Sequence, residues 1–440
     1  MLKILISCIL TITPFLVHAQ NWMQLGLGAY NGVYVLYADT TNNLLYASGD
    51  FRTTANDTIK GIAKWNGTAW DSLGSGLNSS PTAIAFYNGE LYAGGGFTQA
   101  GTISASHIAR WNGVNWDSLP SNNIDNYVFA LYEYNSELYV SGMFSYVGTT
   151  TSRSIAKWNG SSWGTVGSPP WTLVIAESMK EYAGELYVGG FFDAASMHIL
   201  KWNGNNWFDV NPSVNIEQLS SGYSPIQVME VFQNKLYIAG DFFLPYKNIV
   251  SWDDTNYISV GGGVDGVIFD MTIFKGELYV VGGFNTAGGV TARNIAKWDG
   301  IKWCGLGSTF NGVIKSIQVF NNELYIGGTF TSIDGVLING VAKWIGGSYV
   351  DTCGVVGINE LQENNFFTIY PNPNNGIFTL TLNNTNHAII EIYSASGQLV
   401  LQKALTKSLT TIDLTKYSKG MYFVQIVTEK KNYISKLIIQ

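Results

Sequence analysis

Side chains that could support catalysis are few in this 440-residue chain, which contains four histidines and three cysteines. His107 and His198 occupy equivalent positions in two copies of an internal repeat, and Asp50 and Asp241 share another position in two further copies. A metal site or a catalytic carboxylate pair needs such groups in one place. The residues therefore favour a binding protein over an enzyme, and they predict no cofactor and no metal.

Aromatic side chains outside the repeat pattern are better candidates for a site. Of the fourteen tryptophans only Trp171 falls outside it, and Tyr146, Tyr223 and Tyr246 do so as well. Aromatic rings in loops can stack on sugars or anchor a protein partner, although they also pack locally. We predict that these four residues bind a glycan or a protein; the alternative is a carbohydrate-active enzyme that uses the same surface.

The repeat itself is the strongest signal in the chain. A phrase close to Leu-Tyr-x-x-Gly-x-Phe recurs seven times, at spacings of 42 to 50 residues, and a phrase close to Ile-Ala-Lys-Trp-Asn-Gly-x-x-Trp follows each copy. The tyrosines of the first phrase are Tyr46, Tyr92, Tyr139, Tyr187, Tyr237, Tyr279 and Tyr325. A fixed period of this size indicates one supersecondary unit copied around an axis.

Each copy is predicted to form four strands. In the second copy these strands cover residues 82–87, 91–97, 107–111 and 115–119. Four short antiparallel strands repeated seven times predict an all-β fold, a seven-bladed β-propeller.

Alternating strand direction places the loops after strands two and four on one side of the propeller, here called the long-loop face. Segments 52–60, 145–153 and 210–224 belong to these loops and are longer and more variable than the others. Recognition is usually carried by variable loops on a rigid scaffold, so we expect the ligand on this face.

Repeated positions predict contacts within and between blades. Five copies carry Glu before Leu-Tyr and Lys or Arg before the third-strand Trp, which predicts an ion pair across each of those blades. A two-residue turn at Asn66-Gly67 would pair Ala63 with Trp70 and place Trp65 and Trp70 on one face, against the next blade. A Gly in the second strand of every copy predicts close approach of another backbone, as between blades near the axis.

The ends of the repeat region predict how the ring closes. An isolated fourth-strand copy begins at Trp22, whereas the last repeat ends in a degenerate copy at Tyr349. We therefore expect the strand at Trp22 to pair with the third strand of blade seven, near residues 342–344, which removes an open sheet edge.

The N-terminus has the pattern of an export signal. Lys3 precedes an apolar segment, and cleavage is predicted between Ala19 and Gln20. No later segment is long and apolar enough to span a membrane. The net charge of −7 argues against a nucleic-acid partner, because phosphate binding needs clustered Lys and Arg. The two cysteines left after cleavage, Cys304 and Cys353, could form a disulfide if their strands come close enough.

The repeats resemble those of kelch-type, galactose-oxidase-like propellers. The similarity rests on the Gly after Leu-Tyr-Val and on Trp-Asn-Gly-x-x-Trp-x-x-Leu, and the segment from Gly282 to Gly300 resembles repeats of secreted Bacteroidota proteins. This resemblance covers about three quarters of the chain and implies the fold rather than a function.

The C-terminus resembles the sorting domain of the type IX secretion system, the Por secretion tail. The matching segments are Tyr370-Pro-Asn-Pro-Asn-Asn-Gly376, Ile392-Tyr-Ser-Ala-Ser-Gly397, Gly420-Met-Tyr-Phe-Val and Lys436-Leu-Ile-Ile. Its alternating strands and Asn/Gly turns predict a small Ig-like β-sandwich. The resemblance implies that the type IX machinery recognises this domain, exports the chain, and leaves it secreted or attached to the outer-membrane surface.

These features predict four parts of the chain. They are a signal peptide at 1–19, a propeller at 20–353, a linker at 354–365 and a sorting domain at 366–440.

Overall fold

The computed structural model describes most of the chain. The described residues are 21–25, 32–50, 60–121, 124–168, 173–192, 199–210, 217–218, 226–244, 246–346, 367–382, 388–394, 399–405, 407–427 and 432–440. The chain divides into two compact units, Met1–Gly354 and Val355–Gln440, and each is described by itself.

The first unit contains seven four-stranded antiparallel sheets, the blades, whose strands we number one to four from the innermost. Blades one to three consist of Val33–Asp39, Leu44–Gly49, Ile62–Trp65 and Trp70–Ser72; Pro81–Tyr87, Glu90–Gly95, Ile108–Trp111 and Trp116–Asp117; and Val128–Tyr134, Glu137–Gly142, Ile155–Trp158 and Trp163–Thr165. Blades four and five consist of Leu173–Tyr182, Glu185–Phe192, Ile199–Trp202 and Trp207–Asp209; and Ile226–Phe232, Lys235–Gly240, Ile249–Trp252 and Tyr257–Ser259. Blades six and seven consist of Val267–Phe274, Glu277–Gly283, Ile295–Trp298 and Trp303–Gly305; and Ile314–Phe320, Glu323–Gly328, Val341–Trp344 and Trp22–Gln24.

The blades form a closed ring. Each first strand contacts the first strand of the next blade, and the first strand of blade seven contacts that of blade one. Trp22 pairs with Trp344, Met23 with Lys343 and Gln24 with Ala342, so the N-terminal strand completes blade seven. The predicted fold class and the predicted closure are confirmed.

Tryptophan pairs join adjacent blades, but in a different register from the predicted one. Trp65 lies directly opposite Trp70, and Ala63 pairs with Ser72 rather than with Trp70. The prediction of a two-residue turn was wrong. The side chain of Asn66 accepts hydrogen bonds from the Thr68 and Ala69 amides and so stabilises a four-residue loop. The indole of Trp70 still faces the neighbouring blade, since its Nε1 donates to the carbonyl of Leu25, 2.9 Å away.

The repeated Gly is explained by a close contact within its own blade. A Cβ at Gly142 would lie 2.0 Å from the carbonyl oxygen of Tyr127, at the start of the first strand of the same blade. At Gly49 the corresponding distance, to the carbonyl oxygen of Gly32, is 2.2 Å. The approaching backbone is therefore the paired strand and not, as expected, the adjacent blade.

All five predicted ion pairs across the blades are confirmed. Their N–O distances lie between 2.6 and 3.1 Å. The pairs are Arg110–Glu90, Lys157–Glu137, Lys201–Glu185, Lys297–Glu277 and Lys343–Glu323. Because these side chains are partly exposed, each pair contributes roughly 0.2–1 kcal/mol.

The second unit is a β-sandwich. One sheet consists of Phe367–Tyr370, Ile377–Leu382 and Leu409–Asp413, and the other of Leu399–Leu405, Ala388–Ser394, Gly420–Val427 and Asn432–Ile439. Phe378 and Leu380 from the first sheet share one apolar core with Ile390, Val424 and Leu437 from the second. Alternating apolar residues on each strand produce this two-layer packing.

No helix in the described part of the chain is long and apolar enough to cross a membrane.

Candidate functional site: the central cavity

A β-bulge interrupts every first strand near its start. In blade one the pairing passes from Val33 to Val35, so Tyr34 has no residue opposite it. The longer first strand of blade four has two such bulges, at Val174 and at Glu177. One bulge residue from each blade, seven in all, is relevant to the site: Tyr34, Thr82, Phe129, Glu177, Gln227, Phe269 and Lys315. Bulges re-aim side chains, which is their common use beside binding sites.

These seven side chains converge on one cavity of about 730 Å³, here called the central cavity. In each blade the bulge residue lies in the part of the first strand that is nearest the incoming loop. That loop comes from the fourth strand of the preceding blade. The central cavity is therefore on the side of the long-loop face. The cavity has no signal in the sequence, because the seven residues differ in type and only their shared position beside the bulge relates them.

Glu177 and Gln227 form one wall of the central cavity. The Gln227 side-chain amide donates to Oε2 of Glu177 at 2.5 Å, which links blades four and five. Burial raises the pKa of Glu177 to about 7, an effect that the hydrogen bond from Gln227 only partly offsets. Among the described residues no hydrogen bond engages Oε1 of Glu177, so this oxygen can serve a ligand.

Lys315 and Phe269 lie on another part of the lining. The Nζ of Lys315 lies 3.3 Å from the centroid of the Phe269 ring, within the range of a cation–π contact. Burial lowers the pKa of Lys315 to about 8. The lysine nevertheless stays mostly charged at neutral pH.

Asp270 also lines the central cavity, but its oxygens have a structural role. Its Oδ2 accepts from the Ile317 amide and the Ser316 hydroxyl of blade seven, and its Oδ1 accepts from the Met271 amide. Ser316 in turn accepts from the Leu36 amide of blade one. These groups cap the amides along the axis-facing edge of the first strands, which no further strand covers. Burial raises the pKa of Asp270 to about 6 despite these hydrogen bonds.

Tyr34 and Thr82 add further polar groups to the lining. Tyr34 donates to Asp50, which also accepts from Ser80, and the pKa of Tyr34 is raised to about 12 by burial and by Asp50. Thr82 is exposed and donates to the carbonyl of Val128. Asp241, the second acid predicted to share the position of Asp50, is buried and does not appear in the cavity lining.

Within the described part of the propeller, four blades carry a small hairpin on the long-loop face. The hairpins pair Gln99–Ala100 with Ile103–Ser104, Tyr146–Val147 with Thr150–Thr151, Thr286–Ala287 with Val290–Thr291, and Ser332–Ile333 with Val336–Leu337. An Asn or Asp side chain in the loop entering the same blade accepts hydrogen bonds from two backbone amides of each hairpin. In blade three, Asp125 accepts from the amides of Ser145 and Tyr146. The expectation that 145–153 is a variable loop was therefore wrong, since this segment is the blade-three copy of a shared element.

The predicted aromatic residues lie in different surroundings. Tyr146 is 49% exposed on the blade-three hairpin. Tyr246 is half-buried, its ring centroid 6.2 Å from that of Tyr257, and burial raises its pKa. Neither belongs to the described lining of the central cavity. Trp171 and Tyr223 lie outside the described residues, as do Ala19, Gln20 and Cys353.

Cys304 is buried, 1% exposed, and disulfide-bonded. Within the described residues no group of three or more His, Cys, Asp or Glu side chains is placed to hold a metal ion.

Residues 368–440 match the family of secretion system C-terminal sorting domains, the Por secretion tail. The chain is also similar to three solved structures: the computationally designed Ika8 protein, YjhT and the Dos1 propeller. The identities are 13%, 12% and 11%, over 72%, 73% and 73% of this chain and 97%, 94% and 94% of the other chains. The TM-scores are 0.42, 0.37 and 0.42. No curated protein matches this chain.

The fold and the family match define the class of protein. The chain is a seven-bladed β-propeller followed by a sorting domain of the type IX secretion system. It is exported by that system to the cell surface or to the outside of the cell.

Proposed function

We propose that this exported propeller is a non-enzymatic recognition protein that binds a glycan or protein ligand at the long-loop face, with the central cavity as its principal site. The observation that carries the proposal is the convergence of one bulge residue from each of seven blades on a single concave site. Pockets that combine apolar rings with a few directed polar groups are the usual form of ligand sites.

Trp171 and Tyr223 extend the proposal beyond the cavity. Trp171 precedes the strand that carries Glu177, and Tyr223 precedes the strand that carries Gln227. Tyr146 lies on the blade-three hairpin, and Tyr246 lies in a turn on the same face. We assign all four residues to the surroundings of the ligand rather than to the cavity floor.

A carbohydrate-active enzyme is the second candidate, because two carboxyl groups, Glu177 and Asp270, line one cavity. Glycoside hydrolysis uses two carboxyl groups that both reach the substrate. Both oxygens of Asp270 accept hydrogen bonds from strand-edge amides and Ser316, which favours binding over hydrolysis.

The route to the surface completes the proposal. We infer that a signal peptide at 1–19 is cleaved between Ala19 and Gln20, that kelch-like repeats form the propeller at 20–353, and that a linker at 354–365 joins it to the sorting domain at 366–440. The mature protein then meets its ligand outside the cell.

The test is a binding screen of the full mature chain against immobilised glycans and purified surface proteins. We expect Phe129→Ala, which removes a ring from the cavity lining, to lower binding at least tenfold. Phe208→Ala is the matched control, because Phe208 is 44% exposed on the fourth strand of blade four. Equal losses in both variants, or no loss in either, would contradict the cavity as the site. Release of sugar products by the wild type but not by Glu177→Gln would instead support the enzyme.

A further inference from the structure

The lining of the central cavity combines acidic, basic and amide side chains with aromatic rings. Glu177 presents a carboxyl oxygen, Lys315 presents an ammonium group, and Gln227 carries an amide. Phe129, Phe269 and Tyr34 contribute rings to the same lining. A ligand that matches this set needs several hydroxyls that donate and accept, together with C–H faces that pack on rings.

The charges of the lining restrict the ligand further. Among the described residues, two acids, Glu177 and Asp270, and one cation, Lys315, face the central cavity. From the neighbouring first strands, Lys180 and Glu230 are paired with each other at 2.7 Å and contribute no net charge. An anionic ligand is therefore repelled by the two acids, and a cationic ligand is repelled by Lys315. An uncharged ligand avoids both like-charge repulsions.

We infer that the central cavity binds the terminal residue of an uncharged glycan and that Glu177 excludes anionic sugars. This inference rests on the proposed function and specifies its ligand. Lys315 donates to hydroxyl oxygens of the sugar, and Glu177 and Gln227 engage neighbouring hydroxyls on the opposite wall. The rings of Phe129 and Tyr34 pack on the apolar face of the sugar ring.

The test measures affinities of the full mature chain for three sets of free sugars by calorimetry. Glucose, galactose, mannose and N-acetylglucosamine represent uncharged sugars, glucuronic acid represents anionic sugars, and glucosamine represents cationic sugars. We expect at least one uncharged sugar to bind tenfold or more tightly than both charged probes. Lys315→Met should lower the affinity for the uncharged sugar at least fivefold. Glu177→Gln keeps the shape of the wall. It should lower the ratio of the affinity for the uncharged sugar to that for glucuronic acid at least fivefold.

The outcomes separate the inference from the proposed function. Binding restricted to a charged sugar or to a protein, and still lost in Phe129→Ala, would overturn the uncharged-glycan inference while leaving the proposed function intact. Binding that Phe129→Ala does not affect would overturn both. An unchanged preference in Glu177→Gln, with the fold verified by circular dichroism, would overturn the role of Glu177 as the selecting group.

Discussion

The indole of Trp22 packs edge-on against that of Trp344, with 4.9 Å between ring centroids and an interplanar angle of 70°. Trp22 is fully buried, and its Nε1 donates to the hydroxyl of Ser308. The first described strand of the chain thus completes the last blade, and the ring has no open edge at this point.

Replacing Trp22 should weaken the closure of the ring of blades. We expect Trp22→Ala to lower the free energy of unfolding by about 3–5 kcal/mol, the usual cost of removing a buried large aromatic side chain. Urea denaturation measures the effect. Met23→Ala is the control, since Met23 lies in the same strand and is 41% exposed. Equal stabilities for the two variants would show that Trp22 does not hold the ring closed.

The sequence was sufficient to predict the fold because the repeat constrains it seven times over. Tyr, Gly and Trp recur at fixed positions whose packing roles are the same in every blade, and the degenerate end of the last repeat indicated how the ring closes. The central cavity could not be predicted in this way. Its residues, such as Thr82 and Lys315, differ from blade to blade, and only the bulge in each first strand places them together.

The turn at Asn66 shows a second limit of the sequence. Asn-Gly is a strong signal for a two-residue hairpin, yet here the Asn side chain competes for backbone amides and lengthens the loop. Local competition of this kind shifts the register without changing which face the tryptophans occupy.

Cys304 is disulfide-bonded, and we predict that its partner is Cys353. This bridge would close a loop of about fifty residues, and the chain-entropy relation gives a stabilisation of about 4 kcal/mol. Peptide mapping of the unreduced mature protein should recover the two cysteines in one linked fragment, which reduction separates. Cys304 recovered with any other partner, or alkylated without prior reduction, would contradict the pairing.

Asn372 and Asn374 hold the C-terminal strand of the sorting domain. The Asn372 side chain donates to the Lys436 carbonyl at 2.6 Å and accepts from the Ile438 amide at 2.9 Å. The Gln440 amide donates to the carbonyl of Asn374. The Tyr-Pro-Asn-Pro-Asn segment therefore fixes the strand that ends the chain.

We expect Asn372→Ala to cost about 1–2 kcal/mol because two hydrogen bonds to the backbone are lost, and to lower the exported fraction of the full chain. Immunoblotting of cells and medium measures export, and thermal melting of the full chain measures stability. Lys419→Ala, at an exposed position of the same domain, is the control. Normal export together with unchanged melting would contradict the role of Asn372.

Glu177 should make stability depend on pH. Burial raises its pKa from the ordinary 4.5 to about 7, so the folded protein stabilises the protonated carboxyl. This contribution is complete below pH 4.5 and is lost as the pH rises through about 7. Relative to Glu177→Gln, the wild type should therefore lose about 1–3 kcal/mol between pH 4.5 and 8, since one pKa unit corresponds to about 1.4 kcal/mol.

Urea denaturation of both proteins across this pH range provides the measurement. The contribution of Asp270, whose pKa is also raised, cancels in the difference because both proteins contain it. A constant difference between wild type and Glu177→Gln across the range would show that Glu177 ionises normally in the folded protein.

Blocking the central cavity tests the central claim most directly. Thr82 is exposed and lines the cavity, and Ser72 is exposed at the end of an outer strand. Thr82→Cys and Ser72→Cys can each be labelled with a bulky maleimide, because Cys304 is disulfide-bonded and does not react. The measurement is binding of the full mature chain to the glycan or protein identified in the screen, before and after labelling. We predict that labelling at position 82 abolishes binding while labelling at position 72 leaves it unchanged. Full binding by the protein labelled at position 82 would contradict the central cavity as the ligand site.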